Sequence, residues 1–245
     1  MSRIDHGRAV SYVFARPGWP MTLLFVTLGT LVPLVGPMVV QGYQAVIARH
    51  VARHGDGDWP LFDFDRLADY LMRGLRMFVV SLLAGLVVAP VALVVVWATV
   101  FVSALLAAAG GEHGAVATCV GLVLMAISFV LFAALIFGAM ALVTPLWLQA
   151  GINPDFAGAF DFGFLRDFLK RVGREVLIAH VVLVGIHLGL MVAGLLACVV
   201  GIFPAIGLMM LVQAHLYGQL YALYIERGGR PIPETAPTRA TPQPA

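Results

Sequence analysis

Two stretches of this chain, residues 77–108 and 115–148, run without a single Lys, Arg, Asp or Glu. Each exceeds the ~20 apolar residues that cross the ~30 Å hydrocarbon layer of a bilayer. A helix on the outside of a water-soluble domain needs a polar face, and neither stretch has one. The chain as a whole agrees: of its 245 residues, 61% are hydrophobic and 11% charged, where soluble domains carry about a quarter of charged residues. This excludes a soluble enzyme, a nucleic-acid binder and a disordered chain. It predicts an all-α fold, a polytopic bundle of transmembrane helices in contact with membrane lipid.

Other segments fit around these two. Residues 1–20 read as a basic interfacial segment stopped by Pro17 and Pro20, with Trp19 at headgroup level. The apolar run from Met21 to Val40 is too long for the core of a secretory signal, lacks an A-x-A site, and is expected to be retained. It continues to residue 48 and is broken by Pro33-Leu-Val-Gly-Pro37. Apolar stretches 176–200 and 205–225 are joined by Gly201-Ile-Phe-Pro204, where the turn is expected. Residues 21–226 form one transmembrane domain, and the proline-rich residues 227–245 read as a disordered tail. Pro90 is the expected kink in the first long span. Cys119 and Cys198 lie in apolar runs outside any metal-binding spacing and are expected to be small buried residues.

The fifteen Lys and Arg fall in the N-terminal segment, in linkers 49–76 and 150–175, and in the tail. The connections at 109–114 and 201–204 have none. Basic residues concentrate on the cytoplasmic side, so both termini and both linkers are expected there. Six crossings satisfy this: 20–34, 36–52, 75–108, 115–148, 176–200 and 205–226. A re-entrant hairpin over the first two is an alternative, as are five spans with the N-terminus outside.

The two linkers resemble each other. Residues 62–76 align without gaps on 160–174, with eight of fifteen positions identical. Asp63 and Asp161 are placed to cap a helix. Asp69–Arg73 and Asp167–Arg171 are spaced i,i+4, with acid before base, and Arg76 and Arg174 close each copy. A weaker echo, Val35–Gln41 against Val143–Gln149, extends the repeat to 35–108 and 143–226. Each copy reads as an amphipathic interfacial helix, with Phe64, Leu67, Leu71, Leu75 and Phe78 as one apolar stripe and Phe164, Leu165, Phe168, Leu169 and Val172 as the other. A partner-docking or gating element is the alternative.

Within the spans, polar groups collect in the last hairpin: His180, His187, Gln213, His215, Tyr217 and Gln219. With a turn at 201–204, His187 would face Tyr217–Gln219 and His180 would approach Tyr224–Glu226. Interhelical hydrogen bonds are the plain reading; a metal site or a proton relay is the other. No catalytic constellation, cofactor motif or metal-ligand set is present, so no enzyme activity and no cofactor are expected.

Several pieces, in order, carry a family resemblance: Pro33-Leu-Val-Gly-Pro37 leading to Gly42-Tyr43; Trp59-Pro60 with Asp63; Gly74; Ala157-Gly-Ala-Phe-Asp161; and Gly201-Ile-Phe-Pro204 running to His215-Leu-Tyr-Gly-Gln219. The chain resembles domain of unknown function four-zero-one-three over about residues 18–225. That family consists of bacterial and archaeal multi-pass membrane proteins. The resemblance implies a bacterial inner-membrane location and supplies no catalytic residues. Two functions are then open. One is a non-enzymatic scaffold, partner-binding or lipid-organising protein, alone or as a homo-oligomer. The other is a small transporter or channel built from a duplicated unit.

Overall fold

The computed structural model describes residues 4–15, 17–55, 60–109, 114–197 and 200–234. Among them there are seven α-helices, two short 3-10 turns and no strand. The helices are α1 (His6–Phe14), α2 (Trp19–Leu31), α3 (Val35–His54), α4 (Leu67–Ala109), α5 (Gly114–Ile152), α6 (Phe162–Leu196) and α7 (Ile202–Glu226). Among the described residues, three segments are long and apolar enough to cross a membrane: Phe64–Leu106, Thr118–Ile152 and Phe162–Leu196. The α7 helix is not among them, because Gln213, His215, Gln219 and three tyrosines dilute its apolar character.

The α7 helix is nonetheless the centre of the fold. It packs against α1, α2, α3 and α6, and more than half of it is buried. Small residues let its neighbours approach: a Cβ on Gly218 would stand 2.7 Å from the Ala48 carbonyl of α3, and one on Gly207 2.8 Å from the Thr27 hydroxyl of α2. The α3–α4 crossing is closer still. A Cβ on Gly42 would sit 1.8 Å from the Tyr70 carbonyl, and one on Gly74 1.6 Å from that of Met38. The α2–α3 turn works the same way, with Gly36 against the Gly29 backbone.

Away from this centre, α4 and α5 form a long two-helix arm. At 43 residues, α4 is roughly 65 Å long and runs unbroken through Pro90. Trp97, Phe101 and Phe129 on the arm are each more than 60% exposed, as suits side chains solvated by lipid. Cys119 is also exposed on this arm, not buried as expected, and Cys198 lies outside the described residues.

Three other sequence expectations change. First, the repeated segments are not separate helices lying across an interface; each is the opening of a long helix, α4 or α6. Asp63 accepts from the Asp65 N–H, and Asp161 accepts from the Phe164 N–H at 3.0 Å. Phe164, Phe168 and Val172 are buried, whereas Phe64, Leu67 and Leu75 are exposed and α4 buries Tyr70, Gly74 and Met77 instead. The two copies differ because α7 covers the first turns of α6, while α3 covers a different face of α4. Second, Gly201-Ile-Phe-Pro204 begins α7 instead of forming the turn, because proline is tolerated in a helix's first turn. For the same reason Pro20 lies inside the start of α2. Third, residues 227–234 are not a free tail. Ile232 is buried and its N–H donates to the Tyr221 hydroxyl, and the Arg230 N–H donates to that of Tyr224. Residues 235–245 lie outside the described residues, as do Trp59 and the 110–113 connection.

Candidate functional site

A cavity of about 700 Å³ lies among α3, α4, α5, α6 and α7, open on one side where Gly85, Val184, His187 and Leu188 are exposed. Its walls are mostly apolar, built from residues such as Val88, Ile136, Leu183 and Met209. Gln41 and Gln44 of α3, His180 and His187 of α6, and Gln213 and Tyr217 of α7 supply the polar lining, with Ser81 of α4.

One end of the cavity holds a directed hydrogen-bond chain. His180 Nδ1 lies 2.8 Å from the Val176 carbonyl. A carbonyl only accepts, so Nδ1 carries the proton and Nε2 of the neutral ring is the acceptor. The Tyr217 hydroxyl, 3.2 Å from Nε2, therefore donates to it, and Gln213 Nε2 donates to the Tyr217 oxygen at 2.8 Å. Thr144 also approaches His180 Nε2, at 3.4 Å, but its hydroxyl proton goes to the Met140 carbonyl at 2.8 Å. Trp147 packs edge-on against Tyr217, with centroids 5.2 Å apart. The phenol and imidazole are thus fixed by their neighbours.

The six polar residues of the last hairpin do not form one cluster. His180, Gln213 and Tyr217 meet, and His187 lines the same cavity without joining their chain. His215 and Gln219 face the other way, toward α1. Gln219 forms a reciprocal pair with the Asp5 backbone, accepting from its N–H at 2.8 Å and donating to its carbonyl at 3.0 Å. The Gln219 amide also reaches His215 Nδ1 at 3.0 Å, and the His215 ring lies 4.1 Å from that of Tyr12. His180 faces Tyr217 and not Tyr224, a displacement of seven residues or about two turns. It follows from the turn lying before Gly201. Among the described residues no group of three His, Cys, Asp or Glu could hold a metal ion.

Sequence reasoning missed Gln41 and Gln44. Gln44 is buried and donates to the Met210 carbonyl at 2.7 Å. The available signal was two amides three residues apart, hence on one helix face, within an apolar stretch.

The charged residues of the repeat gather at the starts of α4 and α6, one to two turns beyond the His180 end of the cavity. Asp69 holds Arg73 at 2.7 Å, and Arg73 donates to the Gly151 carbonyl at 3.0 Å. Arg76 donates to the carbonyls of Ala150 and Pro154. These carbonyls lie at or just past the end of α5, where the last turn has no intrahelical donors. In the second copy Asp167 holds Arg171 at 3.0 Å, and Arg171 donates to the Arg227 carbonyl just past the end of α7. Each Asp–Arg pair thus ties the start of one helix to the end of the helix that returns beside it. Arg174 is exposed.

Residues 227–234 fasten this end. Arg227 pairs with Glu175, Arg230 with Asp161, and Glu234 with both Arg49 and Arg53. The Phe164 N–H, joined by the Arg230 guanidinium, outweighs slight burial and holds the Asp161 carboxyl below its ordinary value of 3.8.

No curated protein and no solved structure matches the chain. A protein family matches over residues 25–215, which takes in α3 to α6, most of α2 and the part of α7 that lines the cavity up to Gln213. The chain belongs to this family, described as protein of unknown function (DUF4013).

Proposed function

We propose that this is a non-enzymatic multi-pass membrane protein that binds and organises lipid, holding a lipid-like molecule in the cavity among α3 to α7. The observation that carries this reading is the cavity itself. Its size suits a small amphipathic ligand, and its walls are apolar with a few fixed hydrogen-bonding groups. Three amides, two imidazoles and a phenol suit holding a molecule better than cleaving one. In this reading both termini and the linkers 49–76 and 150–175 face the cytoplasm, where their basic residues belong. The helices α4, α5 and α6 cross the bilayer on their own apolar character, and α7 crosses with its polar groups buried against its neighbours. The 13 residues of α2 reach only ~20 Å, so α2 and α3 form a re-entrant hairpin.

The test is what the protein carries out of the membrane. Full-length protein purified in mild detergent should retain about one extractable lipid molecule per chain. Ala139→Trp, which fills the cavity from α5, should retain several-fold less at unchanged melting temperature. Equal retention by both proteins, or none by either, would contradict the reading.

A second reading, transport, draws support from the paired Arg caps, which make two like-built hairpins around one cavity, an arrangement common in carriers. Proteoliposomes would then show a solute or ion flux above the empty-liposome rate, and Gln213→Leu would abolish it.

A further inference from the structure

The second copy of the repeat carries charge that the fold does not use. Arg166, Lys170 and Arg174 are spaced four residues apart on α6, so they share one face, and all three are exposed. The carboxylates beside them on α6, Asp167 and Glu175, are taken by Arg171 and Arg227. The three cations are left without an ion-pair partner among the described residues. The first copy shows that such a hairpin can be built without them. Its aligned positions are Ala68 and Met72, both exposed, and Arg76, whose guanidinium is bound to the carbonyls of Ala150 and Pro154.

The same face of α6 continues into the apolar part of the helix. Leu177, Val181, Val184 and Leu188 follow at helical spacing and are all exposed, and the last two line the open side of the cavity. Val184 stands ~15 Å along the helix axis from Arg174, about the depth of one leaflet in a hydrocarbon layer of ~30 Å. An acyl chain anchored at the cations therefore reaches the opening. The charge itself must stay outside. Among the described residues no Lys, Arg, Asp or Glu lines the cavity, so a phosphate within it would lack a counter-charge. We infer that Arg166, Lys170 and Arg174 hold the phosphate head of an anionic phospholipid, whose acyl chain runs along α6 and enters the cavity through its open side. This rests on the reading that the cavity binds a lipid-like molecule, and it specifies the head group and where it is held. In the proposed orientation the lipid comes from the cytoplasmic leaflet, whose anionic surface attracts exposed Lys and Arg.

Two lipids with identical dioleoyl chains separate charge from chain: phosphatidylglycerol, which is anionic, and phosphatidylcholine, which is zwitterionic. Both are offered at equal concentration to the detergent-solubilised full chain, and adducts are counted by native mass spectrometry. Phosphatidylglycerol should outcompete phosphatidylcholine by about tenfold. In Arg166→Gln/Lys170→Gln/Arg174→Gln both lipids should still bind, and the preference should fall toward one. In Ala139→Trp the binding of both should fall several-fold. The wild-type competition stands even where a variant fails to fold. Equal binding of the two lipids by the wild type, or a preference retained by the triple variant, would overturn the head-group assignment while leaving the cavity a lipid site. Displacement of phosphatidylglycerol by equimolar glycerol phosphate would also overturn it, since the strip would then take soluble phosphate esters. Undiminished binding by Ala139→Trp, with the preference kept, would overturn the chain's place in the cavity and leave the strip a head-group site. Absence of any adduct with either lipid would overturn both.

Discussion

Gly42 and Gly74 show what single residues do here. Each lies where the other helix's backbone passes within contact distance, so a methyl group at either has no place to go. Nonbonded overlaps this close cannot be relieved by a rotamer change, because the atoms met are backbone carbonyl oxygens. Gly74→Ala should therefore destabilise the α3–α4 crossing by about 1–3 kcal/mol or more, read as a lowered melting temperature in detergent. Gly121→Ala, where nothing lies within 4 Å, should not. The residues that carry the family resemblance acquire roles on the same scale. Gly36 permits the α2–α3 turn, Tyr43 donates to the Pro60 carbonyl at 2.7 Å, and Gly201 closes against Gly194. These roles were not legible in the sequence, since a glycine in an apolar run shows neither its neighbour nor its distance. Leu34, in the α2–α3 turn, adopts φ of 64° and is the only non-glycine residue with positive φ among those described. Leu34→Gly should be tolerated or stabilising by about 1 kcal/mol, measured by the same melting experiment.

At the scale of elements, the local chemistry of the sequence carried through well. The caps at Asp63 and Asp161 and the i,i+4 pairs Asp69–Arg73 and Asp167–Arg171 follow from spacing alone, because they involve residues within one turn or two. What each Arg does next was not legible, because its carbonyl partner lies 78 or 56 residues away. Exposure ranks the two. The Arg73 side chain is 17% exposed and Arg171 36%. Arg73→Met should thus cost about 1–3 kcal/mol and Arg171→Met under about 1 kcal/mol, compared by denaturant or thermal unfolding. Acid should loosen the same end. The Asp161 pKa is depressed in the folded chain, so its contribution is fully present above the ordinary value of 3.8 and is lost as pH falls through the folded value. Melting temperature should fall below about pH 4, and Asp161→Asn should lessen that acid-induced fall. An unchanged acid profile in the variant would remove Asp161 from the account.

For the whole molecule, the sequence showed the solvent but not the arrangement. Helices that are apolar on all sides, as along residues 82–108 and 115–140, carry no period that says which face turns inward. The cavity could not be read from such a pattern, since its walls come from five helices. The alignment of the last hairpin is not legible either, because a proline that looks like a turn residue begins a helix, and the earlier turn divides its six polar residues between the cavity and α1. In the proposed arrangement a bilayer encloses the cavity, with the charged end on the cytoplasmic side and the α6–α7 turn on the other. Cysteine labelling in intact cells tests this most directly, in a chain whose Cys119 and Cys198 are replaced. Val200 and Phe156 are both well exposed and lie at opposite ends of α6. With a membrane-impermeant maleimide, Val200→Cys should react before lysis and Phe156→Cys only after permeabilisation. Labelling of both before lysis, or of Phe156→Cys alone, would contradict it.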